Sequence, residues 1–190
     1  MLKAVPILIL IFVTCPTSFA DQATCSQIFK LADEERIVLS PAVSLKVVGE
    51  GRLYFYNSIY FGTVTGEMRS FMERLLFPYL VYTTPPKSLF GRKIPTAFIY
   101  TMNLPENMMK EYGYPVHIGL NENALARIFG QAESLCSFET LQFEDYNKVV
   151  FNYFDPEARR ERRRIVFPED CRRAFDLGVK LAITASAETI

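Results

Sequence analysis

The chain has 190 residues, and its 21 Lys and Arg residues balance its 21 Asp and Glu residues. A chain of this length can bury roughly 70% of its extended surface, so one full domain is expected. Apolar residues make up 49% of the chain and aromatic residues 14%, which excludes a disordered protein, and the balanced charge favours no nucleic acid as a partner.

The first twenty residues support two interpretations. Lys3, the apolar run 5–13 and the small residues Ser18 and Ala20 are typical of a secretory signal peptide, which implies export. The Ile, Val and Leu content of residues 7–13 is equally typical of a first parallel strand buried on both faces. In that case the hydroxyl residues after the strand occupy the position where α/β sheets bind phosphate. These hydroxyl residues are Thr14, Thr17 and Ser18.

Residues 35–56 contain two short apolar runs followed by a Gly-Glu-Gly turn. No helical period of adequate length separates the runs, so the stretch predicts a hairpin rather than a βαβ unit. Residues 53–57 then predict a strand, and residues 58–65 predict a loop.

Strands and helices alternate in the pattern after this loop. The predicted elements are a helix over residues 66–77, a strand over 94–101, a loop over 101–105, a helix over 121–130 capped by Asn121, a strand over 135–143 and a helix over 168–185. Such alternation predicts an α/β protein with a doubly wound parallel sheet. Residues 157–164 hold five arginines and two glutamates, which predicts a solvated helix face, with an anion contact as the alternative.

The cysteines and the histidine give no pattern typical of a metal site. Cys15, Cys25, Cys136 and Cys171 contain no C-x-x-C pair, and His117 is the only histidine. Neither a zinc site nor a haem attachment is therefore expected. Cys136 and Cys171 lie in apolar or amphipathic segments, where a free buried thiol is usual.

A resemblance to a known family enters at residues 58–74, SIYFGTVTGEMRSFMER. This segment resembles the second flavin loop and following helix of the NAD(P)H-dependent FMN reductase and iron–sulfur flavoprotein group. The similarity covers roughly residues 53–183, and the family's N-terminal phosphate loop is not recognised in the chain. Further matching segments are GRKIPTA at 91–97, IFG at 128–130, FPED at 167–170 and AFDLG at 174–178.

The resemblance implies a flavodoxin-like domain over residues 53–190, preceded by an atypical segment over residues 1–52. It implies FMN as cofactor and an oxidoreductase that passes electrons from NAD(P)H to a quinone, a flavin or another small acceptor. The alternatives are a flavodoxin-type electron carrier and a non-catalytic remnant that has lost FMN. The resemblance also implies a homodimer and a cytoplasmic location.

Flavin chemistry belongs to the cofactor, so no catalytic side chain is expected and the protein need only bind and orient the ring. Tyr60 and Phe61 would supply aromatic walls, and Gly62 would let the backbone approach the ring closely. Thr101 and Asn103, at the end of the next strand, would bind the pyrimidine edge of the ring. The predicted cofactor-binding residues are Asn57, Ser58, Tyr60, Phe61, Gly62, Thr63, Thr101 and Asn103.

Overall fold

The computed structural model describes residues 11–12, 36–40, 43–46, 53–143 and 145–187. The hydroxyl residues after the N-terminal apolar run, and the Gly-Glu-Gly turn, lie outside these ranges. The described residues form two sheets and four helices.

The first sheet is small and antiparallel, with the order β1-β3-β2. Its strands are β1 (Ile11–Phe12), β2 (Arg36–Ser40) and β3 (Val43–Lys46). The pairing of β2 with β3 confirms the predicted hairpin. Strand β1 pairs antiparallel with β3, so this part of the N-terminal apolar run differs from the parallel central strand that was one of its two interpretations.

The second sheet has four strands in the order β5-β4-β6-β7. The strands are β4 (Leu53–Tyr60), β5 (Thr63–Val64), β6 (Ile94–Thr101) and β7 (Gly130–Ser137). Strands β4, β6 and β7 are parallel, and β5 returns antiparallel along the end of β4. All eight residues of β6 are buried, as expected of a central strand covered on both faces, and its predicted bounds are confirmed.

Four helices follow the strands in the described residues. They are α1 (Gly66–Leu76), α2 (Tyr114–Phe129), α3 (Pro156–Ile165) and α4 (Phe167–Ala187). Short 3₁₀ turns occupy Phe77–Tyr79, Glu106–Met108 and Tyr146–Lys148. The helices predicted over residues 66–77 and 168–185 are confirmed to within two residues at each end.

Helices cover both faces of the parallel sheet. The larger core joins Met68 of α1, Leu125 of α2 and Phe98 of β6. Alternate residues of a strand point to the same face, so this core lies on one face of the sheet. The connections from β4 to β6 and from β6 to β7 run in the same direction across the sheet, and both helices pack on that face. On the other face, Ile99 packs with Ala174 of α4. The predicted α/β class is therefore confirmed.

The loop predicted over residues 58–65 is wrong, because β4 extends to Tyr60 and β5 begins at Thr63. Only Phe61 and Gly62 connect the strands, with φ angles of 50° and 83°. Two consecutive left-handed residues form the tight turn that matches the twist of an antiparallel pair. Phenylalanine is rare in that position, so the turn signal was weak.

The start predicted for the second helix is also wrong. Helix α2 begins at Tyr114, directly after Gly113 with a φ of 72°, and Pro115 lies in its first turn. Asn121, predicted as the N-cap, lies within the helix and is buried. Its Nδ2 donates to the hydroxyl oxygen of Tyr100 at 3.1 Å, so its polar side chain is satisfied by the sheet.

The strand predicted over residues 135–143 both starts and ends too late, since β7 begins at Gly130 and ends at Ser137. Gly130, with a φ of 103°, connects α2 to β7 without an intervening loop. The first half of β7 is polar and partly exposed, so its composition gave little indication of a strand.

Among the helices in the described part of the chain, none combines the length and apolar character needed to cross a membrane. Cys136 and Cys171 are free thiols; Cys171 is buried, as predicted, and Cys136 is partly buried.

The stability of the fold should fall at high pH. Burial, followed by the charge of Glu122, raises the pKa of the Cys136 thiol from an ordinary 9.0 to about 12. Burial likewise raises the pKa of the Tyr100 hydroxyl. The unfolded chain therefore releases these protons at lower pH than the folded chain, and the stabilising contribution of the neutral thiol, complete below pH 9.0, is lost as pH rises toward about 12.

We expect denaturant unfolding of Cys136→Ser to show a smaller loss of stability over this pH range than the unchanged protein shows. Identical pH dependence of the two proteins would contradict a role for this thiol.

Candidate functional site

The candidate site lies at the carboxyl edge of the parallel sheet, where β4 and β6 end side by side. Ser58 pairs in register with Thr101, and their hydroxyl oxygens are 2.9 Å apart in the buried interior. Ligands of open α/β sheets bind outside the carboxyl ends of the strands, so the residues just beyond this hydroxyl pair are the natural candidates for contact.

The β4–β5 turn, residues 60–63, projects from this edge. Phe61 is 106% exposed and Tyr60 is 45% exposed, so both aromatic rings face solvent. Phe61 adopts a left-handed backbone conformation, which costs a residue with a Cβ atom about 1–2 kcal/mol relative to a right-handed one. The turn therefore displays a fully exposed aromatic ring in a conformation that does not favour it.

Hydrogen bonds between Asn57 and Thr65 join the chain before this turn to the chain after it. Asn57 is 0% exposed; its Oδ1 accepts from the Thr65 amide at 2.9 Å, and its Nδ2 donates to the Thr65 hydroxyl at 3.1 Å. Thr65 Oγ1 in turn accepts from the amide of Met68 at 3.2 Å and caps α1. One carboxamide thus ties the end of β4 to the start of α1 and closes the hairpin between them.

Tyr114, the first residue of α2, borders the same turn. A Cβ atom added to Gly62 would lie 3.7 Å from Cε2 of Tyr114, an ordinary contact distance, so glycine is favoured there by its φ of 83° rather than by lack of space. Burial, followed by the charge of Tyr112, raises the pKa of Tyr114. Its hydroxyl therefore stays neutral near the site at physiological pH.

The second border of the site is the β6 loop, residues 101–105, which pairs with the chain after β7. Met102 donates to Ser137 O at 3.0 Å, and Thr140 donates back to Met102 O at 3.0 Å. Asn103 Oδ1 is buried and has no hydrogen-bond partner among the described residues. A buried acceptor without a partner costs about 1–3 kcal/mol, so this amide is available to a donor on a ligand.

A cluster of charged residues, which includes two arginines of α3, contacts the β6 loop. Arg159 of α3 is only 6% exposed, donates to Asn103 O at 3.2 Å and pairs with the carboxylate of Glu139. Arg162 pairs with Asp170 at 3.5 Å. The solvated face predicted for residues 157–164 is therefore only partly right, because two of its five arginines, Arg159 and Arg162, point into the protein.

All eight predicted cofactor-binding residues gather at this edge. Asn57, Ser58 and Thr101 are buried; Asn57 is hydrogen-bonded to Thr65, and Ser58 and Thr101 are hydrogen-bonded to each other, so all three shape the site from the interior. Tyr60, Phe61 and Thr63 are exposed, and Gly62 and Asn103 are partly exposed, although Oδ1 of Asn103 is buried. As contacts to a cofactor, all eight remain predictions.

Three residues of this edge were not predicted: Tyr114, Glu139 and Arg159. The left-handed Gly113 followed by Tyr-Pro was the available signal for a helix start at Tyr114. Arg159 lay within the noted arginine run, but nothing in the sequence separates its buried position from that of its exposed neighbours.

The residues present fit a flat ring with apolar faces and a polar edge. Phe61 and Tyr60 offer aromatic surface, while Asn103 offers a buried amide. The predicted phosphate-binding hydroxyls lie outside the described residues. Within the described ranges, no group of three His, Cys, Asp or Glu side chains is placed to hold a metal ion.

Comparison of the chain with family models, with curated proteins and with solved structures gives no match. The resemblance of residues 58–74 to the FMN reductase group therefore stays a prediction. What the site binds is inferred below from its own residues.

Replacing Asn57 with Ala should destabilise the site and the fold together. The change leaves the Thr65 amide without its acceptor, so we expect the free energy of unfolding to fall by about 1–3 kcal/mol. Ser70→Ala, on the exposed side of α1, is the matched control and should change it by less than about 0.5 kcal/mol. Equal denaturation midpoints for the two variants would show that the Asn57–Thr65 pair contributes nothing.

Proposed function

We propose that this protein is an FMN-dependent oxidoreductase with a flavodoxin-like fold, in which the β4–β5 turn and the β6 loop hold the flavin ring. It transfers electrons from NAD(P)H to a quinone, a flavin or another small acceptor. The observation that carries the proposal is Phe61, a fully exposed aromatic ring in a left-handed turn at the carboxyl edge of the sheet.

Phe61 is unfavourable for stability in two respects. Its backbone conformation suits Gly or Asn better, and its ring gains nothing from burial, which for a side chain of this size is worth about 1.5–3 kcal/mol. Strained residues at ligand-facing edges are typical of functional sites. A planar ligand that covers the ring would recover the burial energy.

The fold supports the same ligand class. Three parallel strands covered by α1 and α2 on one face and α4 on the other end at a common edge, and the two segments beyond β4 and β6 border it. Aromatic contact with Tyr60 and Phe61 contributes about 0.5–1.5 kcal/mol per ring pair beyond burial, which orients a ring but does not retain it. Retention of FMN then depends on phosphate contacts, for which Thr14, Thr17 and Ser18 are the sequence candidates.

The flavin supplies the hydride chemistry, and the protein residues control how it is presented. Phe61 and Tyr60 would exclude water from the ring faces. Asn103 Oδ1, which has no partner among the described residues, would accept from an N–H at the polar edge of the ring. The Ser58–Thr101 hydroxyl pair keeps the ends of β4 and β6 at a fixed separation beneath it.

A homodimer and a cytoplasmic location belong to the same proposal. Val116 and Leu120, one turn apart on α2, are 65% and 59% exposed, which suits an apolar contact between helices next to the site. Light scattering measures the dimer directly. If residues 1–20 act as a signal peptide instead, the protein is exported, and mass spectrometry of the mature N-terminus distinguishes the two locations.

The proposal predicts that purified protein mixed with FMN and freed of excess shows bound flavin bands in its visible spectrum. Phe61→Asn removes the ring but suits the left-handed turn, so we expect FMN affinity to fall about tenfold or more without loss of stability. Tyr82→Asn is the matched control: Tyr82 is 81% exposed and follows α1, which ends at the opposite edge of the sheet, so its replacement should leave affinity unchanged.

The outcomes separate the candidate functions. Bound flavin together with steady-state NADH or NADPH oxidation supports the oxidoreductase, whereas bound flavin without such oxidation favours the electron carrier. A colourless protein with a cooperative thermal transition would contradict both and favour the remnant that has lost FMN.

A further inference from the structure

We infer that Arg159 is a positioning residue for the ring site, holding the β6 loop in place and placing a buried positive charge against that loop. The inference rests on the proposed function, which it deepens by naming a residue that tunes the site. Arg159 lies on α3, outside the segments that contact the ring in the proposal.

The guanidinium of Arg159 joins two segments of the chain. It donates to Asn103 O in the β6 loop at 3.2 Å and pairs with the carboxylate of Glu139, whose own amide donates to Leu104 O at 3.3 Å. The ring of Phe154 lies 4.8 Å from the centre of the guanidinium and covers one face of it. The buried side chain of Arg159 therefore adds a contact to the β6 loop backbone beside the backbone hydrogen bonds that already hold the loop.

The charges of this pair are unequally exposed to water. The Arg159 side chain is 8% exposed and that of Glu139 is 37% exposed. Water screens an exposed charge more strongly than a buried one, so the field at Asn103 is dominated by the guanidinium. Reduction adds negative charge to a flavin ring, and a positive charge beside the ring therefore favours the reduced form.

Glu139 is part of the same arrangement and not a separate surface charge. It adopts a left-handed φ of 51°, and its carboxylate also lies 3.9 Å from Nε of Arg162. Arg162 in turn pairs with Asp170, which accepts from the Ser137 hydroxyl at 2.6 Å at the end of β7. This chain of contacts anchors Arg159 to the sheet.

The first experiment uses the protein without FMN and measures amide hydrogen exchange. Arg159→Gln should raise the exchange rates of the Met102 and Thr140 amides, whose hydrogen bonds hold the β6 loop, about tenfold. Arg164→Gln is the matched control, because Arg164 is exposed on the same helix and pairs with Glu161. Unchanged exchange in Arg159→Gln would overturn the positioning role, whatever the protein binds.

The second experiment measures the midpoint potential of FMN-loaded protein. Arg159→Gln should shift the potential to more negative values and Glu139→Gln to more positive values, while Arg164→Gln leaves it unchanged. If Arg159 and Glu139 had only a structural role, both substitutions would loosen the loop, and their shifts in midpoint potential would not have opposite signs. Shifts in the same direction would overturn the electrostatic role. Failure of the unchanged protein to bind FMN would overturn the proposed function and the electrostatic role together, and the exchange rates would still decide whether Arg159 holds the loop.

Discussion

The carboxamide of Asn57 fixes the geometry on which the candidate site depends. Both of its polar atoms bind Thr65, eight residues later, and Thr65 caps α1. The relative directions of strand β4, the β4–β5 hairpin and helix α1 are therefore fixed by this one buried side chain. An apolar residue of similar size at position 57 could fill the same volume, but it would satisfy neither the amide nor the hydroxyl of Thr65.

The other border of the site is the β6 loop, which is held in part by a charged side chain. Hydroxyl contact between Ser58 and Thr101 joins β4 to β6 in the interior, and Arg159 holds the loop backbone just beyond. The two borders of the site are thus stabilised by different interactions. The turn depends on neutral hydrogen bonds, whereas the loop depends on backbone hydrogen bonds together with an ion pair between the buried Arg159 and the partly exposed Glu139.

The sequence predicted the parts of this structure that follow from hydrophobic periodicity. The buried run of β6 and the amphipathic spacing of α1 and α4 are strong local signals, and their positions are confirmed. Interactions between distant residues decided the rest. Asn121 has the composition of a helix cap, but the hydroxyl of Tyr100 binds it inside a helix, and no local pattern reports that partner.

Contacts between distant residues also explain why part of the site was predicted and part was not. The residues of β4 and β6 were accessible to prediction because parallel strands end at a common edge. Arg159 was not, since its burial accompanies contacts with Asn103, Glu139 and Phe154, which are distant or irregular segments of the chain. Five arginines with similar local surroundings differ in their contacts only because the helix rotates each one to a different side.

The shortness of the β4–β5 turn has a consequence for proteolysis. Phe61 is among the most exposed aromatic residues of the described chain, yet only two residues separate the hydrogen-bonded ends of β4 and β5. Backbone cleavage requires a segment to open locally, and a two-residue connection has no slack to do so without unpairing both strands. Phe61, a fully exposed aromatic residue at this edge, therefore lies in a peptide segment that should resist proteolytic cleavage.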